Sequence, residues 1–120
     1  MSTKDACVTV VPYFQIPPEK IETVREMCSQ FMQMTQTEPK CLYYGFSFDG
    51  NMMHCREGYD DADGLLAHLA SVGPLMGELM RFAPLTRIEV HGPKEEIAKL
   101  RAPLAHLKPQ YFTLEYGFRR

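Results

Sequence analysis

Four side chains in this sequence have the chemistry and spacing for proton transfer. Three fall in one stretch, Glu57-Gly58-Tyr59-Asp60-Asp61-Ala62-Asp63-Gly64-Leu65-Leu66-Ala67-His68-Leu69, and the fourth, Tyr44, lies upstream. Imidazole titrates nearest neutrality, so a histidine at a cavity rim serves as acid or base. On a wheel of 100° per residue, His68 falls roughly 40° from Val72 and roughly 60° from Leu65, at the border of an apolar stripe. Two readings fit that border: a core-edge ring bonded to a backbone carbonyl, and a ring in contact with a ligand. Glu57 and Tyr59 are two apart at a strand end and share a face, while Arg56 points to the other. If that face lies under helices, desolvation raises the carboxyl pKa and makes Glu57 a usable base. In the open, Glu57 instead pairs with an arginine or caps the following helix. Tyr44, on the facing strand, either reaches the same cavity with its hydroxyl or packs its ring at the core edge.

Met52-Met53-His54-Cys55 offers thioether, imidazole and thiolate, donors that suit copper(I) or zinc. Strand alternation sends Met53 and Cys55 one way and Met52 and His54 the other, so no metal site is expected there. His91 and His106 have no partner at ligand spacing and read as surface histidines. Met27, Met32, Met34, Met52, Met53, Met76 and Met80 fall on or near inward faces, where flexible thioethers either fill the core or line a cavity for a flat apolar ligand. No G-x-G-x-x-G, P-loop or nucleophile elbow is present, so neither a nucleotide cofactor nor serine-hydrolase chemistry is expected.

The elements that position these groups can be read from periodicity. Cys7 to Tyr13 is β-branched and reads as a strand. After Pro17-Pro18, the residues Ile21, Val24, Cys28, Phe31 and Met32 recur at helical steps, which predicts a first helix ending before Pro39. Cys41–Phe48 and Met52–Tyr59 flank Asp49-Gly50-Asn51 and predict a β-hairpin. Asp60 to Ser71 begins with acidic residues and carries Leu65, Leu66, Leu69 and Val72 on one side, a second helix that Gly73-Pro74 should break before a helical period resumes over Leu75–Phe82. Leu85 to His91 alternates as a strand, Pro93 to Leu100 reads as a short helix, and Tyr111 to Tyr116 as a last strand.

The resulting order, βαββαβ with an extra C-terminal helix and strand, is a ferredoxin-like α+β split arrangement: an antiparallel sheet with helices on one face. The second face, expected to bear Tyr43, Met53, Cys55 and Val10, needs an apolar cover, and a second copy of the sheet supplies one as a dimeric α+β barrel. The last strand is then free to pair with an exposed edge, its own or the partner's. We expect one domain over residues 1–120.

With 45% apolar and 23% charged residues and a formal net charge of -2, the chain has an ordinary globular composition and no basic patch, so neither nucleic acid nor membrane is an expected partner. The first apolar segment lacks a basic leader, and Cys7, Cys28, Cys41 and Cys55 form no C-x-x-C pair. Both features predict a cytoplasmic protein with reduced thiols.

The segment from Glu57-x-Tyr59 to His68-Leu69, together with Leu42-x-Tyr44, resembles the signature of the antibiotic biosynthesis monooxygenase-like family over Val8 to about Val90. The resemblance implies a homodimer with a pocket between helices and sheet in each subunit. It also implies cofactor-independent oxidation of a small aromatic or quinol by dioxygen. His68 and Glu57 would then be catalytic, with Tyr44, Tyr59, Met53, Leu65 and Leu69 contacting the substrate. Haem degradation is not implied, because that branch needs an Asn-Trp pair and this chain has no tryptophan. Two alternatives stay open: a non-oxidative isomerase or small-ligand binder using the same pocket, and a structural dimer module without catalysis.

Overall fold

Alternating β-branched and aromatic residues, reversed at Gly50 with its positive φ of 58°, build a sheet whose one face is covered by helices. The structure, a computed structural model, describes residues 5–120. Its elements are β1 (Val8–Gln15), α1 (Ile21–Thr35), β2 (Cys41–Asp49), β3 (Met52–Tyr59), α2 (Ala62–Met80), β4 (Leu85–Gly92), α3 (Lys94–Leu100) and β5 (Gln110–Thr113). Short 3-10 turns precede α1 and β5. The strands lie in the order β2-β3-β1-β4-β5, with every pair antiparallel except β4-β5. This is the predicted ferredoxin-like α+β arrangement with a helix and strand appended. The appended strand pairs in parallel with β4 of its own sheet, through Glu89↔Gln110 to Gly92↔Thr113.

Registers Val8↔Tyr59 and Val10↔Glu57 place β1 and β3 side chains of one parity beneath the helices. Val10, Met53 and Cys55 belong to that set and are 3%, 0% and 1% exposed, so the expectation that they lie on the uncovered face is corrected. Of the four residues named for that face, Tyr43 alone belongs there. It sits opposite Gly58, shares the 34-residue-distant Thr9 hydroxyl at 2.7 Å, and carries its ring over the glycine. A β-bulge at Leu42, between Cys41↔Tyr59 and Tyr43↔Gly58, restores the phase that turns Tyr44 inward beside Glu57.

Two apolar clusters fill the space under the helices. Val8, Val10, Tyr59, Leu65, Val90, Leu100 and Leu104 form one, and Phe14, Ile16, Val24, Met27, Phe31, Met53, Val72 and Leu79 the other. A second correction concerns α2, which runs unbroken through Gly73-Pro74 to Met80. Both residues are exposed, so the Ala70 carbonyl that loses its amide partner lies on the solvent side, where water can accept the duty. Meanwhile Val72 and Leu79 keep the inner face anchored. Among the described residues no helix is long and apolar enough to cross a membrane.

Candidate functional site

The site begins at the end of β3. Glu57 and Tyr59 both point under the helices, and the Tyr59 hydroxyl donates to Glu57 Oε1 at 2.7 Å. Asp61 then caps α2, accepting from the Gly64 amide at 2.9 Å, which fixes the helix phase so that His68 faces inward. Its imidazole is 1% exposed, deeper than the border position its spacing suggests.

A third element reaches the same point. The turn after α1 is tied down by Glu38 N–H to the Thr35 carbonyl at 3.0 Å and by Asp60 N–H to the Lys40 carbonyl at 3.0 Å. Lys40 Nζ also pairs with Asp61 at 2.8 Å. Gly64 permits this closeness: a Cβ there would stand 2.9 Å from Lys40 Cβ. One helical turn further on, His68 Nδ1 lies 2.9 and 3.0 Å from the two oxygens of Glu38. A carboxylate accepts only, so Nδ1 carries a hydrogen toward Glu38. Nε2 faces Glu57 Oε1 at 3.5 Å. The result is a row of acid-base groups, Glu38, His68 and Glu57, with Tyr59 donating at the inner end.

Burial is the largest influence on Glu57 and pushes its pKa up from the ordinary carboxylate value, against the opposing pull of His68 and of the Tyr59 and Cys55 hydrogen bonds. Its acid form is therefore favoured more than that of a surface glutamate. Burial, then the nearby Glu57 charge, also pushes the Tyr44 and Tyr59 phenols up, so both stay hydrogen-bond donors. The same two causes raise the Cys55 thiol, while burial and then Glu38 raise Cys41 to about 11. The Tyr44 and Tyr59 rings flank the imidazole with centroids 5.2 and 5.3 Å away.

Glu57 and His68 form the polar end of a cavity of about 50 Å³ whose other walls include Phe14, Leu69, Met76, Met80 and Leu107. Of the residues predicted to touch substrate, Leu69 lines this cavity directly. Tyr44 faces His68 and borders a separate cleft beside Glu38, and Tyr59 stands behind Glu57. Leu65 packs in the first apolar cluster and Met53 in the second, and neither lines the cavity. Met76 and Met80, flagged in the sequence only as inward methionines, are wall residues. Glu38 was not anticipated at all. A wider groove of about 450 Å³ between α1 and the end of α2 is rimmed by exposed Glu26, Glu78 and Arg81 and faces no buried polar group.

Among the described residues no three His, Cys, Asp or Glu side chains are grouped to hold a metal ion. What the row can do is move a proton between a molecule in the cavity and a histidine backed by a carboxylate, at a place shielded from water.

No family model and no curated protein matches this sequence. Solved structures do. The crystal structure of MupZ from Pseudomonas fluorescens is 48% identical, with a TM-score of 0.95 over 100% of this chain and 94% of that one. A crystal structure of an antibiotic biosynthesis monooxygenase is 23% identical, with a TM-score of 0.62 over 69% of this chain and 92% of that one. Rv0793 from Mycobacterium tuberculosis is also 23% identical, with a TM-score of 0.63 over 72% of this chain and 94% of that one. The last two show the shared fold.

Proposed function

This chain belongs to the antibiotic biosynthesis monooxygenase-like family, and from that premise we propose that it is an enzyme transferring a proton to or from a small, largely apolar molecule. The observation that supports this reading is the 3.5 Å approach of His68 Nε2 to Glu57 at the one polar end of an apolar cavity. His68 and Glu57 are the proposed catalytic pair, Leu69 and the cavity methionines the proposed substrate walls, and Tyr44 and Tyr59 hold the ring between them.

The first form of the reaction follows the family: an aromatic phenol or quinol loses its hydroxyl proton to His68 or Glu57, and the anion passes an electron to dioxygen. Burial of the pair and exclusion of water lower the cost of the anion at the reacting oxygen. No cofactor is part of this proposal. The cavity volume admits a diatomic molecule or one edge of a ring, so a larger substrate has to displace a wall side chain, for which the flexible thioethers of Met76 and Met80 are suited.

A second, non-oxidative form is supported by the raised pKa of Glu57. A carboxyl whose pKa burial raises, standing next to a carboxylate-backed imidazole, suits an isomerisation, in which a proton leaves one atom and returns at another. Oxygen-electrode and anaerobic assays with a panel of phenols and quinols separate the two. Oxygen uptake that stops in H68A and E57Q supports the oxidative form, whereas substrate conversion that persists without oxygen supports the isomerase. Conversion that is equal in H68A, E57Q and the parent protein removes the pair from any mechanism.

A further inference from the structure

We infer that Glu38 is the outer end of a proton path joining the buried Glu57–His68 pair to the cleft between α1 and β2. This rests on reading Glu57 and His68 as a proton-transferring pair, and adds how that pair exchanges protons with water. Beyond Glu57, the remaining walls of the cavity, Val10, Phe14, Leu69, Met76 and Leu107 among them, supply no titratable group to carry a proton.

On the opposite side of the imidazole, Glu38 borders a separate cleft of about 180 Å³, together with Met32, Thr35, Gln36, Cys41 and Tyr44. The ring therefore stands between two spaces with one nitrogen toward each, Nε2 at 3.5 Å from Glu57 and Nδ1 at 2.9 Å from Glu38. Side-chain exposure is 5% at Glu57, 1% at His68 and 14% at Glu38, so the row opens to solvent at its Glu38 end. The cleft admits several waters at roughly 30 Å³ each. In its lining, the buried Thr35 hydroxyl stands beside that of Tyr44, and the two give a water there polar anchors. The other groups around the ring do not compete as carriers. Tyr44, Tyr59 and Cys55 all have burial-raised pKa values and hold their hydrogens.

The transfer balances as follows. A proton released in the cavity forms an O–H bond on Glu57. It moves to His68 Nε2, breaking that bond and forming N–H. The Nδ1 hydrogen passes to Glu38, and the resulting carboxylic acid releases it into the cleft. The ring is left as the Nε2–H tautomer; it is reset when Glu38 returns a proton to Nδ1 while the Nε2–H bond breaks and its hydrogen passes back to Glu57, which hands it to the cavity.

The test uses the full-length protein without substrate, ¹⁵N-labelled, with E38Q and E38D. Glutamine keeps an oxygen to accept Nδ1–H but cannot take up the proton; aspartate retains a carboxylate on a shorter stem. Nitrogen shifts of His68 should report the Nδ1–H tautomer in the parent and E38Q, so a merely structural bond is preserved. Exchange of that hydrogen with water, read by magnetisation transfer, should slow about a hundredfold in E38Q, the scale of a well-placed proton carrier. E38D should fall between the two. Equal exchange in parent and E38Q overturns the path. If E38Q does not fold, Q36W, at an exposed position in the cleft lining, roofs the cleft and leaves Glu38 in place. Slower exchange there supports the path, and an unchanged rate overturns it. Because no turnover is measured, a failed path leaves the enzymatic reading to H68A and E57Q, and failure of that reading shows only in those variants.

Discussion

Removing the imidazole at position 68 should do more than stop a reaction. The ring is packed between two tyrosines and bonded to Glu38, so H68A leaves buried Glu57 and half-buried Glu38 without their partner and a hole beside Tyr44 and Tyr59. Denaturant titration is expected to show a loss of about 3 kcal/mol, the low end for breaking a buried pair. Turnover per folded molecule should fall about a hundredfold or more. Full activity in the folded fraction would leave His68 a structural residue. Glu57 makes a separate prediction about pH. Its folded pKa lies above its unfolded value, so it stabilises the fold most below the ordinary carboxylate range, and that contribution is lost as pH rises through the folded pKa. Relative to E57Q, the parent protein should therefore lose stability on going from acid toward neutral pH, and parallel stability curves for the two would contradict the burial argument. His68 and Glu57 were visible in the sequence because both lie in one strand-to-helix segment whose periods orient them. Glu38 was not, since it is 30 positions from His68 in a turn with no period, and only the closeness allowed at Gly64 brings it in.

The hairpin shows how one small residue sets a sheet face. A Cβ at position 58 would meet the Tyr43 ring at 2.2 Å, and that ring is held by its hydrogen bond to Thr9. G58A should cost about 1–3 kcal/mol as an overpacked site. In a Y43A background most of that cost should vanish, a coupling that thermal melts of the four proteins measure; additive losses would mean the clash is relieved elsewhere. Strand and helix positions were legible because their periods are strong. The choice of face was harder. Alternation ties Met53 and Cys55 to the parity of Glu57 and Tyr59, but which parity the helices cover depends on where α1 and α2 dock, a tertiary matter. Pro74 misled for a related reason: a proline predicts a lost hydrogen bond, and the fold tolerates that loss wherever the orphaned carbonyl faces water.

At the scale of the whole molecule, the uncovered sheet face argues for association. Val11, Tyr13, Tyr43 and His54 lie there partly exposed, with the Tyr13 and His54 rings 5.5 Å apart and the His54 Nδ1 buried without a hydrogen-bond partner among the described residues. We expect a homodimer at micromolar concentration by light scattering, and Y13D should shift it to the monomer mass. A monomer for the parent protein would end the barrel reading. This face also shows what sequence could and could not give: it predicted a side in need of cover, yet three of the four residues it named there turned out to be core. The proline in α2 has one more consequence. Met76 and Met80 lie past it, on the stretch that hangs from one missing rung, whereas His68 lies before it. That stretch should breathe first, its amides trading for deuterium sooner than those of Gly64 to Ala70. A guest would then enter from the thioether side while the imidazole stays anchored, so admission and chemistry would be assigned to opposite ends of a single helix.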